Sequence, residues 1–104
     1  EAPSVAIIES LLKAGVRVRA YDPQANERAA KLFGNRITVA QDPYAALDGA
    51  DALVLVTEWD EFRTPDFDEI KRRLRAPVIF DGRNIWDAAP LRAIGFEVFG
   101  VGRP

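Results

Sequence analysis

The chain contains no cysteine and no histidine. Without thiols it forms neither a disulfide nor a thiolate nucleophile, and without thiols or imidazole it lacks the usual zinc ligands and the commonest base at neutral pH. No metal site is therefore expected. It also lacks an excess of positive charge: 14 Lys and Arg stand against 16 Asp and Glu, a formal net charge of -2. A nucleic-acid partner would call for a basic face. The one arginine cluster, Arg72, Arg73 and Arg75, reads as the solvated end of a helix. No apolar run approaches the roughly 20 residues that a membrane helix requires, and the first residues show no signal-peptide pattern. The expectation is a cytoplasmic protein that binds neither nucleic acid nor membrane.

What is present is ordinary for a globular domain. The 104 residues are 48% hydrophobic and 29% charged, enough for one domain with its own core. Internal repeats, low-complexity tracts and a dividing linker are absent. One pattern recurs: an amphipathic helical stretch ends at a glycine and an extended apolar run follows. Val5, Ile8, Leu11 and Leu12 lead to Gly15 and then to 16–21. Ala25, Ala29, Leu32 and Phe33 lead to Gly34 and then to 37–39. A short helix over 43–47 reaches Gly49 before 52–56, and 91–94 reaches Gly95 before 96–101. Glycine suits the left-handed position that stops a helix because it has no Cβ to clash there. Asp42-Pro43 marks a helix start. Asp66 followed by Glu69 resembles a capping box ahead of a buried stripe of Phe67, Ile70 and Leu74, and Ala76-Pro77 breaks that helix before the strand 78–80.

Helix and strand alternating at this spacing predict an α/β fold, a doubly wound and mainly parallel sheet of Rossmann-like type. The runs 52–56 and 78–80 are continuously apolar, as in strands covered on both faces, whereas 16–20 alternates and has a wetter face. Such domains open on a buried strand whose crossover helix comes next. Here only Glu1-Ala2-Pro3 precede the first helix, so the expectation is a domain without its first strand and the phosphate-binding loop that would follow it.

Ligands of open parallel sheets bind beyond the carboxyl ends of the strands. Asp22 stands where an acid would bond a dinucleotide ribose, yet no G-x-G-x-x-G accompanies it, and a turn-former before proline is the favoured reading. Thr57-Glu58-Trp59-Asp60-Glu61-Phe62 could pack Trp59 and Phe62 on one face or line a cleft; nothing tunes Glu58 and Glu61 for acid–base work. Gly100-Val101-Gly102-Arg103 closes the last strand. Asp81-Gly82-Arg83-Asn84 is the strongest candidate, since a buried strand ends in a tight turn that presents an arginine fork suited to phosphate or a carbonyl edge. Asp81 would hold the turn or orient Arg83. The competing reading is a structural ion pair of Arg83 with Asp87.

The stretches EAPSVAIIESLLKAGVRVRAYDP, DGADALVLVTEWDEFR, PVIFDGRNIWD and GFEVFGVGRP, in this order and covering nearly the whole chain, resemble the C-terminal domain of the UDP-glucose/GDP-mannose dehydrogenase family. TEW and DGRN resemble its UDP-glucose branch. The resemblance implies that residues 1–104 form one UDP-sugar-binding C-terminal domain, truncated at its N-terminus. The whole enzyme would add an N-terminal Rossmann domain that binds NAD and a central helical region that supports dimerisation, so those domains and a homo-oligomer are the implied partners. It would oxidise the C6 alcohol of UDP-glucose to a carboxylate with two NAD, through a thiohemiacetal and a thioester on a cysteine outside this segment. No catalytic or cofactor-binding residue carries over to this chain, which is expected to be inactive alone. Arg83 matches the family arginine that reaches the UDP-sugar and is the one implied substrate contact. A substrate lysine and an NAD-facing arginine would lie upstream of Glu1. The alternative, of a different class, is a structural or oligomerisation module without ligand binding of its own, since a missing central strand leaves sheet edges open to strand addition.

Overall fold

The computed structural model describes residues 3–22, 24–56 and 63–100. The chain divides after Ala46 into two compact units, each with its own parallel sheet.

In the first unit, helix α1 (Pro3–Lys13) precedes strand β1 (Arg19–Ala20), helix α2 (Asn26–Phe33), a 3-10 turn at Gly34–Arg36 and strand β2 (Thr38–Val39). β1 and β2 run parallel, with Arg19 opposite Thr38 and Ala20 opposite Val39. The apolar run at 16–21 yields only two ladder residues because β2 is its only strand partner among the described residues. The Thr38 and Ala40 amides donate to the Val18 and Ala20 carbonyls, which fixes the register. Phe33 and Ile37, 3% and 7% exposed, form the buried centre of this unit, and the alternating pattern of 16–20 appears as exposed Arg17 and Arg19 beside half-buried Val18 and Ala20.

The turn after α2 is tied to α1 by a two-pronged ion pair. Arg36 donates to both Glu9 carboxylate oxygens at 2.6 and 3.2 Å, and its guanidinium also lies 5.8 Å from the centre of the Phe33 ring. The hydrogen bond from Arg36 holds the Glu9 carboxyl below its ordinary range, and the same bond raises Arg36. A carboxyl whose folded pKa lies below its unfolded value contributes stability above the unfolded pKa and loses it as pH falls through the folded one. Thermal melts of the Glu9→Gln variant and the parent are therefore expected to differ near neutral pH and to converge in acid. A difference that persists unchanged below the carboxylate range would contradict this account.

The second unit holds β3 (Leu53–Leu55), α3 (Phe67–Arg73), β4 (Val78–Asp81), α4 (Ala88–Ala93) and β5 (Glu97–Gly100). All pairs are parallel, in the order β3-β4-β5, with Val54, Phe80 and Phe99 in one cross-strand row. The fold is thus the mixed α/β, parallel-sheet architecture expected. Ile79 is 0% exposed, and Leu55, Ile70, Leu74, Trp86, Leu91, Phe96 and Val98 are buried with it. The expectation that the apolar strands are covered on both faces is not met. Val54, Phe80 and Phe99 remain 41%, 43% and 48% exposed, and the two rings stack on each other at 5.0 Å. Ile79 and Val98, the residues alternating with them, are the buried ones. Crossover helices of one hand lie on one side of a sheet, so α3 and α4 cover a single face.

Local chemistry explains the helix ends. Asp66 accepts the Glu69 amide at 3.1 Å, the first half of the expected capping box. The Glu69 carboxylate is held at 2.9 Å by Arg73 one turn on. Arg73 also reaches Asp48 at 3.1 Å, and Arg75 lies 3.5 Å from Asp51, so two arginines of the cluster face carboxylates while Arg72 is exposed. The expected helix over 43–47 is a 3-10 turn at Ala45–Leu47, entered where Asp42 accepts the Ala45 amide at 3.1 Å.

All four glycines read as helix stops, Gly15, Gly34, Gly49 and Gly95, have positive φ. Gly95, at φ 107°, lies where any side chain is strained, and a Cβ there would also displace the Lys71 ammonium, which stands 2.5 Å from that position at the end of a flexible side chain. That ammonium caps the chain at the end of α4 by donating to the Ile94 carbonyl at 2.6 Å. Gly95→Ala is expected to cost about 1–2 kcal/mol, read as a lower urea midpoint, and an unchanged midpoint would contradict the geometry.

Candidate functional site at the carboxyl ends of the strands

The turn after β4 is built around one side chain. Asp81, the last residue of β4, is 1% exposed. Its Oδ1 accepts the Arg83 amide at 3.0 Å and its Oδ2 accepts the Trp86 amide at 2.9 Å. Two bonds from backbone N–H groups satisfy a carboxylate that would otherwise be costly to bury. Between them the chain makes a tight turn, with Asn84 in the left-handed region at φ 55°. The Gly82 amide donates to the Leu55 carbonyl at 2.8 Å, and a Cβ at Gly82 would meet that same oxygen at 2.9 Å. Glycine is therefore required by close approach to β3.

Trp86 ends the turn as a buried anchor, 6% exposed, meeting Phe67 edge-on at 5.1 Å. Arg83 is exposed between these fixed points, at the end of the sheet where open α/β folds bind ligands. A guanidinium placed there offers paired donors to a phosphate or carboxylate. A depression of about 320 Å³ beside the turn is lined mostly by apolar side chains such as Phe67, Ile85, Leu91 and Ile94, together with Arg63 and Asp87.

In the first unit the corresponding position is occupied differently. The Asp22 carboxylate accepts the amides of Gln24 and Ala25 at 2.8 and 3.1 Å, so it is the turn-former before α2 that the favoured reading expected. Asn26 completes the knot, accepting the Asp22 amide at 2.8 Å and donating to the Ala40 carbonyl at 3.1 Å. Both bonds to the Asp22 carboxylate fall on one oxygen, Oδ1, and no glycine-rich phosphate loop accompanies Asp22 in the sequence. The Asn26 link was not read from the sequence; the only signal for it is an amide residue one turn after an aspartate. Thr57 to Phe62, with Trp59, Glu58 and Glu61, and Val101 to Arg103 lie outside the described residues. No group of three or more potential metal ligands occurs among the described residues, and no helix there is long and apolar enough to cross a membrane.

Parallel strands joined by crossover helices define the class: a Rossmann-like α/β domain. The chain belongs to the UDP-glucose/GDP-mannose dehydrogenase family, to whose UDP binding domain residues 1–88 match, the Asp81–Asn84 turn included. It is 50% identical over its whole length to a UDP-glucose 6-dehydrogenase of Pseudomonas aeruginosa and 42% identical to one of Rhizobium meliloti, spanning 24% of each of those proteins. The chain thus covers about a quarter of the relatives it matches. A solved NDP-N-acetyl-D-galactosaminuronic acid dehydrogenase from Methanosarcina mazei Go1 shares the fold, with a TM-score of 0.76 and 24% identity over 97% of this chain and 20% of that one.

Proposed function

We propose that this chain is the UDP-sugar-binding domain, over residues 1–104, of an NAD-dependent UDP-glucose 6-dehydrogenase acting in the cytoplasm. The observation that carries the reading is Arg83, exposed on a turn pinned at both ends, at the carboxyl edge of a parallel sheet. Its guanidinium binds the diphosphate of the UDP-sugar as a planar fork. The whole protein oxidises UDP-glucose to UDP-glucuronate at the expense of two NAD. NAD is held mainly by the N-terminal domain, and a central domain joins the subunits of a homo-oligomer. This chain orients the nucleotide end of the substrate and takes no part in hydride transfer.

The test is steady-state turnover of the full-length protein with UDP-glucose, comparing the parent with Arg83→Ala. Two NADH per UDP-glucuronate are expected from the parent. Losing one charge-assisted contact should raise KM about tenfold or more, while the stoichiometry stays unchanged. Unaltered KM and kcat in the variant would remove Arg83 from the site, and inertness of the parent towards UDP-glucose would overturn the substrate.

A second reading is favoured by the exposed row of Val54, Phe80 and Phe99: a domain that serves assembly and binds no ligand. Sedimentation at several concentrations separates the two. A chain that oligomerises through this row and ignores UDP supports assembly, whereas UDP binding without concentration-dependent association supports the first reading.

A further inference from the structure

We propose that Asp81 is the positioning residue of the nucleotide site: its buried carboxylate sets the backbone from which Arg83 acts, before any ligand arrives. The proposal rests on the reading of Arg83 as the UDP contact and extends it to a residue that touches no ligand.

Among the described residues Asp81 is the only buried polar or charged one. Its place at the end of β4 puts it on the same face as Ile79, where an apolar side chain would ordinarily stand. A carboxylate kept in such a position must have its oxygens satisfied, and each of them accepts an amide of the turn. One binds the amide of Arg83 itself and the other the amide of Trp86. The turn is thereby closed on either side of Asn84, which accepts the left-handed conformation the closure imposes. It is held from the sheet side by the Gly82 bond to Leu55 and from the core side by the Trp86 ring.

Arginine has many rotamers, and each freedom retained by its backbone must be surrendered on binding. A backbone fixed in advance lowers that cost, which is the physical content of preorganisation. An apolar residue at 81 would fill the same volume but leave two amides without acceptors. Asparagine would keep one acceptor and aim an NH₂ donor at the second amide, loosening the turn with little change in shape.

The experiment is a double-mutant cycle on the full-length protein, with UDP titrated calorimetrically into the parent, Asp81→Asn, Arg83→Ala and the double variant. Asp81→Asn is expected to weaken UDP binding about five- to tenfold. In the Arg83→Ala background the same change should add no more than about twofold. Equal losses in both backgrounds would overturn the positioning role and leave Asp81 a general stabiliser of the unit. Normal affinity in Asp81→Asn, alongside a weakened Arg83→Ala, would overturn this proposal alone. Normal affinity in Arg83→Ala would overturn the reading on which it rests, and the proposal with it. Hydrogen exchange on the unsubstituted protein gives a check that needs no variant to fold. The Arg83 and Trp86 amides should be protected without UDP; rapid exchange at both would show a turn that is not set in advance.

Discussion

Ile79→Ala is expected to destabilise the second unit by about 2–5 kcal/mol. Ile79 is fully buried on the middle strand of its sheet, flanked in register by Leu53 and Val98. Removing its outer carbons withdraws apolar area from the core and leaves a cavity that the neighbouring strands, fixed by their ladders, cannot collapse into. The residue beside it supplies the control. Phe80 points to the other face and is 43% exposed, so truncation there deletes a ring stacked on Phe99 but opens no closed cavity. Urea denaturation should show a much lower midpoint for Ile79→Ala than for Phe80→Ala. Equal losses would mean that both faces of the sheet are covered to the same degree in the protein, against the exposure described.

Gly82→Ala is expected to cost about 1–3 kcal/mol and to weaken nucleotide binding at the same time. The reason differs from that at Gly95. No left-handed backbone is at stake at Gly82; the added methyl would press on the Leu55 carbonyl oxygen at 2.9 Å, and that oxygen belongs to the strand ladder rather than to a movable side chain. Relief requires β4 and β3 to part or the turn to tilt. Either movement breaks the Gly82 bond to Leu55 and shifts Arg83, the next residue. Paired measurements of the urea midpoint and of UDP affinity check this. A variant as stable as the parent would contradict the close approach, and a destabilised variant with normal affinity would separate the turn's packing from its binding role.

Much of this fold was legible because its punctuation is chemical. Gly15, Gly34, Gly49 and Gly95 all adopt the positive φ that their helix-ending pattern requires, and Asp42 and Asp66 cap the turns they precede. The turn that carries the candidate site was legible: Asp81 and Arg83 stood out as a strand end followed by glycine and arginine. What could not be read was which of two roles Asp81 takes, since holding a turn and orienting a neighbour use the same residue at the same spacing. In the fold its oxygens accept the backbone amides of Arg83 and Trp86, so the bonds seen are those of a turn-holder. Sheet coverage was misjudged for a related reason. A run such as Leu53-Val54-Leu55 states that both faces are apolar, but not which helices are present to cover them. Strand length was overestimated at 16–21, because apolarity says nothing about how many partners a strand has.

In the proposed function the turn at Asp81–Asn84 presents Arg83 to the diphosphate of a uridine nucleotide. The most direct measurement is equilibrium titration of UDP into the full-length protein and its Arg83→Ala variant. Saturable binding by the parent is expected, with affinity lowered about tenfold or more in the variant. Equal UDP affinity in the two proteins would contradict it.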